Sequence, residues 1–229
     1  MTTDDCRSIA MLIDHSLLHP AMTEAELEAG CQSAAGWEVA TVCVKPYFVG
    51  RAAELVEGSG VKAATTVGFP HGGHAISVKV AEARSAMAAG ARELDMVINI
   101  GKAKSGDWSY LRDEIEAIVK AGHDGGALVK VIFENCYLTT AEKRQLCAIS
   151  AEAGADFIKT STGYGTGGAT EEDLRLMLDE AGGKMGVKAA GGIRTYAQVV
   201  RLRDMGVRRM GATRTASILE ECRRELPGG

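Results

Sequence analysis

Eight short apolar runs recur along this chain, each followed by a stretch of helical composition, and that alternation constrains the fold more than any other feature. The runs lie at residues 9–14, 39–44, 61–67, 93–98, 127–133, 156–161, 186–190 and 207–212. Within each run apolar residues follow one another with little polar alternation, as parallel strands do when helices cover the sheet. Threonines stand where the intervening helices should begin: Thr23 with Glu26 three residues on, Thr139 or Thr140, Thr170 and Thr195. Their hydroxyls can accept the unpaired N–H groups of a first turn. No linker interrupts the pattern, so we expect residues 1–229 to form a single (β/α)8 TIM barrel of the α/β class. A doubly wound open sheet is the alternative, but no Gly-x-Gly-x-x-Gly turn follows an early strand.

Composition excludes several functions. Hydrophobic residues make up 46% of the 229, enough for a sizeable core. The net charge is -4 with no Lys/Arg-rich block, which argues against nucleic acid as a partner. The acidic start, Met1-Thr2-Thr3-Asp4-Asp5, does not read as a signal peptide. No apolar run approaches the ~18–20 residues of a membrane span, so no membrane partner and a cytoplasmic location are expected. The six cysteines lack a Cys-x-x-Cys pair and read as reduced thiols. His15 and His19, and His71 and His74, lie in loops with no Cys or acidic cluster at ligand spacing, so no metal is expected.

Polar residues inside apolar runs are the candidates for chemistry. Active sites of such barrels lie at the C-terminal ends of the strands. Asp14 ends the first run, Cys43 lies near the end of the second, Asp95 sits within the fourth, and Lys159 and Lys188 sit in the sixth and seventh. A strand-end lysine taken alone reads as a side chain that reaches out to solvent. Two of them in buried strands would depress each other's pKa, and a neutral lysine attacks carbonyls. A carboxylate such as Asp95 in a buried strand needs a partner, and the lysines supply one. Cys43 alone fits an ordinary buried cysteine, and Asp14 alone fits a turn. Gly163, Gly191, Gly192 and Gly211 follow strands six to eight, where backbone N–H groups commonly hold phosphate; tight turns explain the same glycines.

Five blocks together resemble the deoxyribose-phosphate aldolase family of Schiff-base (class I) aldolases. They are Thr41-Val42-Cys43-Val44-Lys45-Pro46, Phe69-Pro70-His71-Gly72, Glu93-Leu94-Asp95-Met96-Val97-Ile98-Asn99, Phe157-Ile158-Lys159-Thr160-Ser161-Thr162-Gly163 and Val187-Lys188-Ala189-Ala190-Gly191-Gly192-Ile193-Arg194-Thr195. The resemblance implies Lys159 as the Schiff-base lysine, Lys188 as the lysine that perturbs it and Asp95 as the proton shuttle. It implies Asp14, Cys43 and Thr160 as pocket residues and Gly163, Gly191 and Gly192 as phosphate contacts. It further implies a sugar phosphate and aldehydes as partners and no cofactor, because the lysine itself is the electron sink. Homo-oligomers, dimer or tetramer, remain open. The chain departs from the family at Tyr164, where some members have lysine, and at Thr213-Arg214, where serine is usual. These departures leave the phosphate charge to be balanced by Arg214 or, in competition, by Arg194. Two rivals follow: a Schiff-base aldolase for another sugar phosphate, and a non-catalytic sugar-phosphate-binding barrel. The second would predict loss of one or both lysines, and both are present.

Overall fold

The structure, a computed structural model, describes residues 6–226. The acidic start and the Pro227-Gly228-Gly229 tail lie outside the described residues. Eight parallel strands close into a barrel: β1 (Ile13–Leu17), β2 (Thr41–Val44), β3 (Lys62–Val67), β4 (Glu93–Val97), β5 (Leu128–Ile132), β6 (Phe157–Lys159), β7 (Gly186–Ala190) and β8 (Arg209–Ala212). The ring closes where Asp14 of β1 stands opposite Gly211 of β8. The fold is the (β/α)8 barrel that the alternation called for.

Among the described residues ten helices accompany the strands: α1 (Cys6–Ala10), α2 (Glu24–Trp37), α3 (Val49–Leu55), α4 (Ile76–Ala88), α5 (Ile100–Lys104), α6 (Trp108–Asp124), α7 (Thr140–Glu152), α8 (Glu171–Ala181), α9 (Tyr196–Asp204) and α10 (Thr215–Glu225). Thr23, Thr139 and Thr195 close reciprocal capping boxes with Glu26, Glu142 and Gln198, and Thr170 caps Asp173 N–H. Each such cap is worth about 1 kcal/mol, so the helix starts were marked locally by the sequence. The short α5 is capped by Asn99, whose Oδ1 accepts from Lys102 N–H at 3.1 Å, whereas the 3-10 turns Pro46–Phe48 and Asn135–Tyr137 have no side-chain cap.

Two expectations are corrected here. The first strand does not begin at residue 9: Ile9 and Ala10 belong to α1, Met11 is exposed, and β1 starts at Ile13, which places Asp14 near its beginning. A short apolar run cannot by itself distinguish a buried helix from a strand. The cysteines are not all free thiols: Cys6 on α1 and Cys222 on α10 form a disulfide, with Cα atoms 5.9 Å apart. Their separation of 216 residues hid the pairing, since only the closed barrel brings its two ends together. Cys31, Cys43, Cys136 and Cys147 are free.

The hydrophobic core is a shell between barrel and helices. Leu94 and Met96 of β4 point into it, as do Val129 and Val131 of β5. Strand geometry sends alternate side chains the other way, into the barrel. There Glu93 and Asp95, and Lys130 between Val129 and Val131, are buried. The end of β4 is pinned from outside by a buried ion pair. Lys79 of α4 donates to the Val97 carbonyl at 2.6 Å and to Glu114 of α6 at 2.7 Å, and Glu114 accepts from Asn99 N–H at 2.8 Å. Among the described residues no helix is long and apolar enough to cross a membrane.

Candidate active site

Strand register decides which polar side chains meet. Lys159 stands opposite Lys188, Lys188 opposite Arg209, and Asp95 opposite Lys130. Asp95 gathers three lysine side chains: Lys130 Nζ at 2.7 Å on Oδ1, and Lys159 Nζ at 2.6 Å and Lys188 Nζ at 2.7 Å on Oδ2. Lys188 also donates to Asp14. Lys130 reaches Glu93 at 2.7 Å and Asp14 at 3.4 Å. Arg209 joins Asp14 at 2.6 Å to Glu93 at 2.9 Å.

The charges in this network do not balance if every group is ionised. Three carboxylates, Asp14, Glu93 and Asp95, face four bases, Lys130, Lys159, Lys188 and Arg209. One uncompensated charge in a dry interior is costly, and the group that can give it up is the least supported base. Lys188 and Lys130 touch two and three carboxylates, whereas Lys159 touches Asp95, which it shares with both. Burial pushes the Lys159 pKa down; Asp95 opposes this and Lys188 reinforces it, with a net lowering. With Lys159 neutral, three carboxylates meet three cations.

The mutual depression expected of the two lysines therefore acts in one direction. Burial works against the Lys188 ammonium too, but Asp14 and Asp95 outweigh it and its pKa is raised. Lys130 and Arg209 are likewise held protonated by their carboxylates against burial. Asp95 and Asp14 are held well below the usual carboxylate range by the surrounding cations, against the effect of burial. Burial, with Asp95 nearby, pushes the Cys43 thiol up to about 11, so it is neither a thiolate nor a nucleophile.

A cavity of about 320 Å³ opens above the network at the C-terminal end of the barrel. Larger grooves of about 590 and 560 Å³ run over the outer helices, remote from the buried lysines. Lys159, 3% exposed, is the member of the network that also lines the cavity. Gly163 contributes from beyond β6, Gly191, Gly192 and Arg194 from beyond β7, and Gly211 and Thr213 from β8 and its end. Gly163, Gly191 and Gly192 have φ of 89°, 85° and 89°, a region in which a side chain is strained. A Cβ on Gly211 would stand 3.7 Å from Lys188 Cε and 3.8 Å from Ser16 Oγ, at ordinary contact distance, which places Gly211 directly over the floor.

Other candidate residues fall outside the cavity wall. Asp14, Asp95 and Lys188 lie beneath its floor, and Cys43 lies in β2, buried. Thr160 is a buried strut whose Oγ1 accepts from Ala190 N–H at 3.1 Å, tying β6 to β7. Arg214 is exposed at the cap of α10 and is not part of the lining, whereas Arg194 is. Lys130, Glu93 and Arg209 escaped the sequence reading. Lys130 interrupts Leu128-Val129-Lys130-Val131-Ile132 as Asp95 interrupts its own strand, and the same reasoning would have found it. Glu93 and Arg209 begin their strands and look like ordinary boundary charges.

Fold and site define a barrel enzyme of carbonyl chemistry: a buried amine, kept short of counter-charge, opens into a polar cavity. The family model for the DeoC/LacD family aldolases matches residues 8–213. The chain is 50% identical over 218 residues to a deoxyribose-phosphate aldolase of Rhodopirellula baltica, covering 95% of this chain and 90% of the relative. It is 50% identical over 217 residues to the protein of the same name from Thermococcus gammatolerans, covering 94% and 96%. The tetrameric deoxyribose phosphate aldolase structure from Aeropyrum pernix superposes with a TM-score of 0.88 at 32% identity, covering 94% of this chain and 91% of that one. The chain belongs to the DeoC/LacD aldolase family, and it is an aldolase, a carbon–carbon lyase.

Proposed function

We propose that this aldolase reversibly cleaves 2-deoxy-D-ribose 5-phosphate to acetaldehyde and D-glyceraldehyde 3-phosphate through a Schiff base on Lys159. The observation that carries the reading is that Lys159 alone joins the cavity to the charge network, as the one base there whose pKa is lowered. The names of its relatives support the substrate. Neutral Lys159 Nζ attacks the C1 aldehyde, and loss of water leaves an iminium. The C3 hydroxyl gives up its proton, the C2–C3 bond breaks, and its electron pair enters the iminium to form an enamine. Glyceraldehyde 3-phosphate leaves. Protonation of the enamine carbon and hydrolysis return acetaldehyde and the free lysine. Asp95 Oδ2, hydrogen-bonded to Lys159, is the proton carrier, reaching the sugar through water. Assembly into dimers or tetramers belongs to the same proposal, supported by the tetrameric A. pernix relative. Formation of glyceraldehyde 3-phosphate from deoxyribose 5-phosphate tests the function, and a folded protein that forms none ends it.

Lys188 acts in this reading as a fixed cation. In Lys188→Leu the amine of Lys159 loses its positive neighbour, so its pKa rises towards the free value of about 10.4. The neutral form then becomes abundant only at higher pH, and the pH–rate profile moves alkaline. Equal inactivity at every pH would assign Lys188 a direct chemical step instead.

The phosphate sits, in this reading, between Gly191-Gly192 and Thr213, near the positive N-terminus of α9. Arg194 replaces Arg214 as its side-chain cation, because Arg194 lines the cavity and Arg214 does not. Arg194→Ala should raise KM for deoxyribose 5-phosphate about tenfold, by loss of one charge-assisted contact, and leave unphosphorylated deoxyribose unchanged. Arg214→Ala should alter neither. A larger KM effect at Arg214 would reverse the assignment.

A further inference from the structure

A second cavity, of about 420 Å³, adjoins the one over Lys159. Pro20, Pro46, Phe69 and Pro70 form its walls. The charged side chains at its edge are already engaged with backbone. Lys45 Nζ donates to the carbonyls of His19 and Met22 at 3.2 Å, and Glu82 accepts from Gly68 N–H at 2.7 Å. Thr66 adds one hydroxyl, and the rest of the surface left for a ligand is mostly apolar.

Leu18 and Tyr164 line both cavities, and they are bonded to each other: the Tyr164 hydroxyl donates to the Leu18 carbonyl at 2.9 Å. Tyr164 follows Gly163 in the loop after β6, yet it is held at three points. Its N–H donates to Thr162 Oγ1 at 3.0 Å, and that hydroxyl in turn donates to buried Glu134. Its ring stands edge-on to Phe69, with centroids 5.5 Å apart and planes at 87°. The side chain thus crosses the barrel mouth from the β6 loop to the β1 and β3 loops.

We propose that Tyr164 is the partition that sets which aldehydes reach Lys159: it closes the polar cavity against the apolar one, so the site admits polar sugar-like aldehydes and the two-carbon aldehyde but gives a long alkyl chain no apolar surface to occupy. The inference rests on the Schiff-base reading of Lys159. With the ring removed, the two spaces join through the Leu18–Tyr164 wall, and an alkyl chain on the aldehyde gains a dry surface to occupy. Each buried methylene is worth roughly tenfold or more in discrimination, so a six-carbon aldehyde should respond where a two-carbon one does not.

The test is borohydride trapping of acetaldehyde and of hexanal, with the adduct quantified on the Lys159 peptide. In Tyr164→Ala the hexanal-to-acetaldehyde ratio should rise at least ~10-fold over the wild type. Tyr164→Phe keeps the ring against Phe69 and loses the bond to Leu18, so its rise should be smaller. Phe69→Ala frees the ring from the other side and should also raise the ratio. If acetaldehyde is trapped normally but the ratio stays at the wild-type value in both alanine variants, the partition is refuted and the Schiff base stands. Loss of both adducts in those variants would make Tyr164 a structural element and refutes the partition too. Absence of any acetaldehyde adduct in the wild type would bring down the Schiff-base reading and the partition with it.

Discussion

Lys159→Met should abolish retro-aldol turnover, by about 10⁶-fold as when a covalent nucleophile is removed, while leaving the protein at least as stable as the wild type. The two halves of this expectation have one cause. Methionine has similar length and no charge, so the balance of three carboxylates against Lys130, Lys188 and Arg209, which neutral Lys159 already allows, is kept without a buried amine that must stay deprotonated. Asp95 keeps both of its ammonium partners, Lys130 and Lys188. Removing a buried functional group commonly raises stability by about 1 kcal/mol, and thermal melting would show it. The covalent role is checked by reduction with acetaldehyde and borohydride: the two-carbon adduct should map to the peptide containing Lys159 and vanish in the variant. An adduct on Lys188 would overturn the assignment.

Asp95→Asn should combine a large loss of turnover with a large loss of stability. The proposed mechanism gives Asp95 the proton transfer, a role that accounts for about 10²–10⁴ in rate. Imine formation needs the neutral amine, and removing the carboxylate lowers the Lys159 pKa further, so borohydride trapping should persist. Near-normal exchange of acetaldehyde methyl protons in the variant would count against the role. On the stability side, the amide leaves the buried ammonium groups of Lys130 and Lys188 without the carboxylate they share, a loss of about 3–5 kcal/mol by analogy with broken buried ion pairs.

The pH dependence supplies a second check on Asp95. Its folded pKa is depressed, so its contribution is fully present above the unfolded value of about 3.9 and declines as pH falls below it. The urea midpoint of the wild type should therefore drop below about pH 4, with Asp14 contributing in the same sense. Asp95→Asn should show a lower midpoint at neutral pH and a shallower acid decline. An acid decline unchanged from wild type would mean that Asp95 is not ionised in the folded protein.

Much of the fold was legible because its signals are local. A threonine three residues before a Glu or Gln marks a helix start wherever the helix later packs, and Thr23, Thr139 and Thr195 all sit where expected. The first strand was misplaced because Ile9 and Ile13 are equally apolar, and only the packing of α1 beneath the barrel separates their roles. The disulfide was invisible because Cys6 and Cys222 meet only when the ring closes. In the site, Lys159, Lys188 and Asp95 stood out as polar breaks in apolar strands. Lys130 is the same kind of break, but its meaning comes from Asp14, Glu93 and Asp95, which only the closed barrel brings to its amine.

The order of strands and helices, the capped helix starts and the polar residues within the strands were determined by the sequence itself, through periodicity and short-range hydrogen bonding. The lowered pKa of Lys159 and the placement of Arg194, but not Arg214, in the cavity wall were decided only by the tertiary structure. Lys159 meets Asp95 across 64 residues, and Lys188 meets Asp14 across 174. A pKa depends on distances of a few ångströms and on the exclusion of water, and the linear order of residues carries neither.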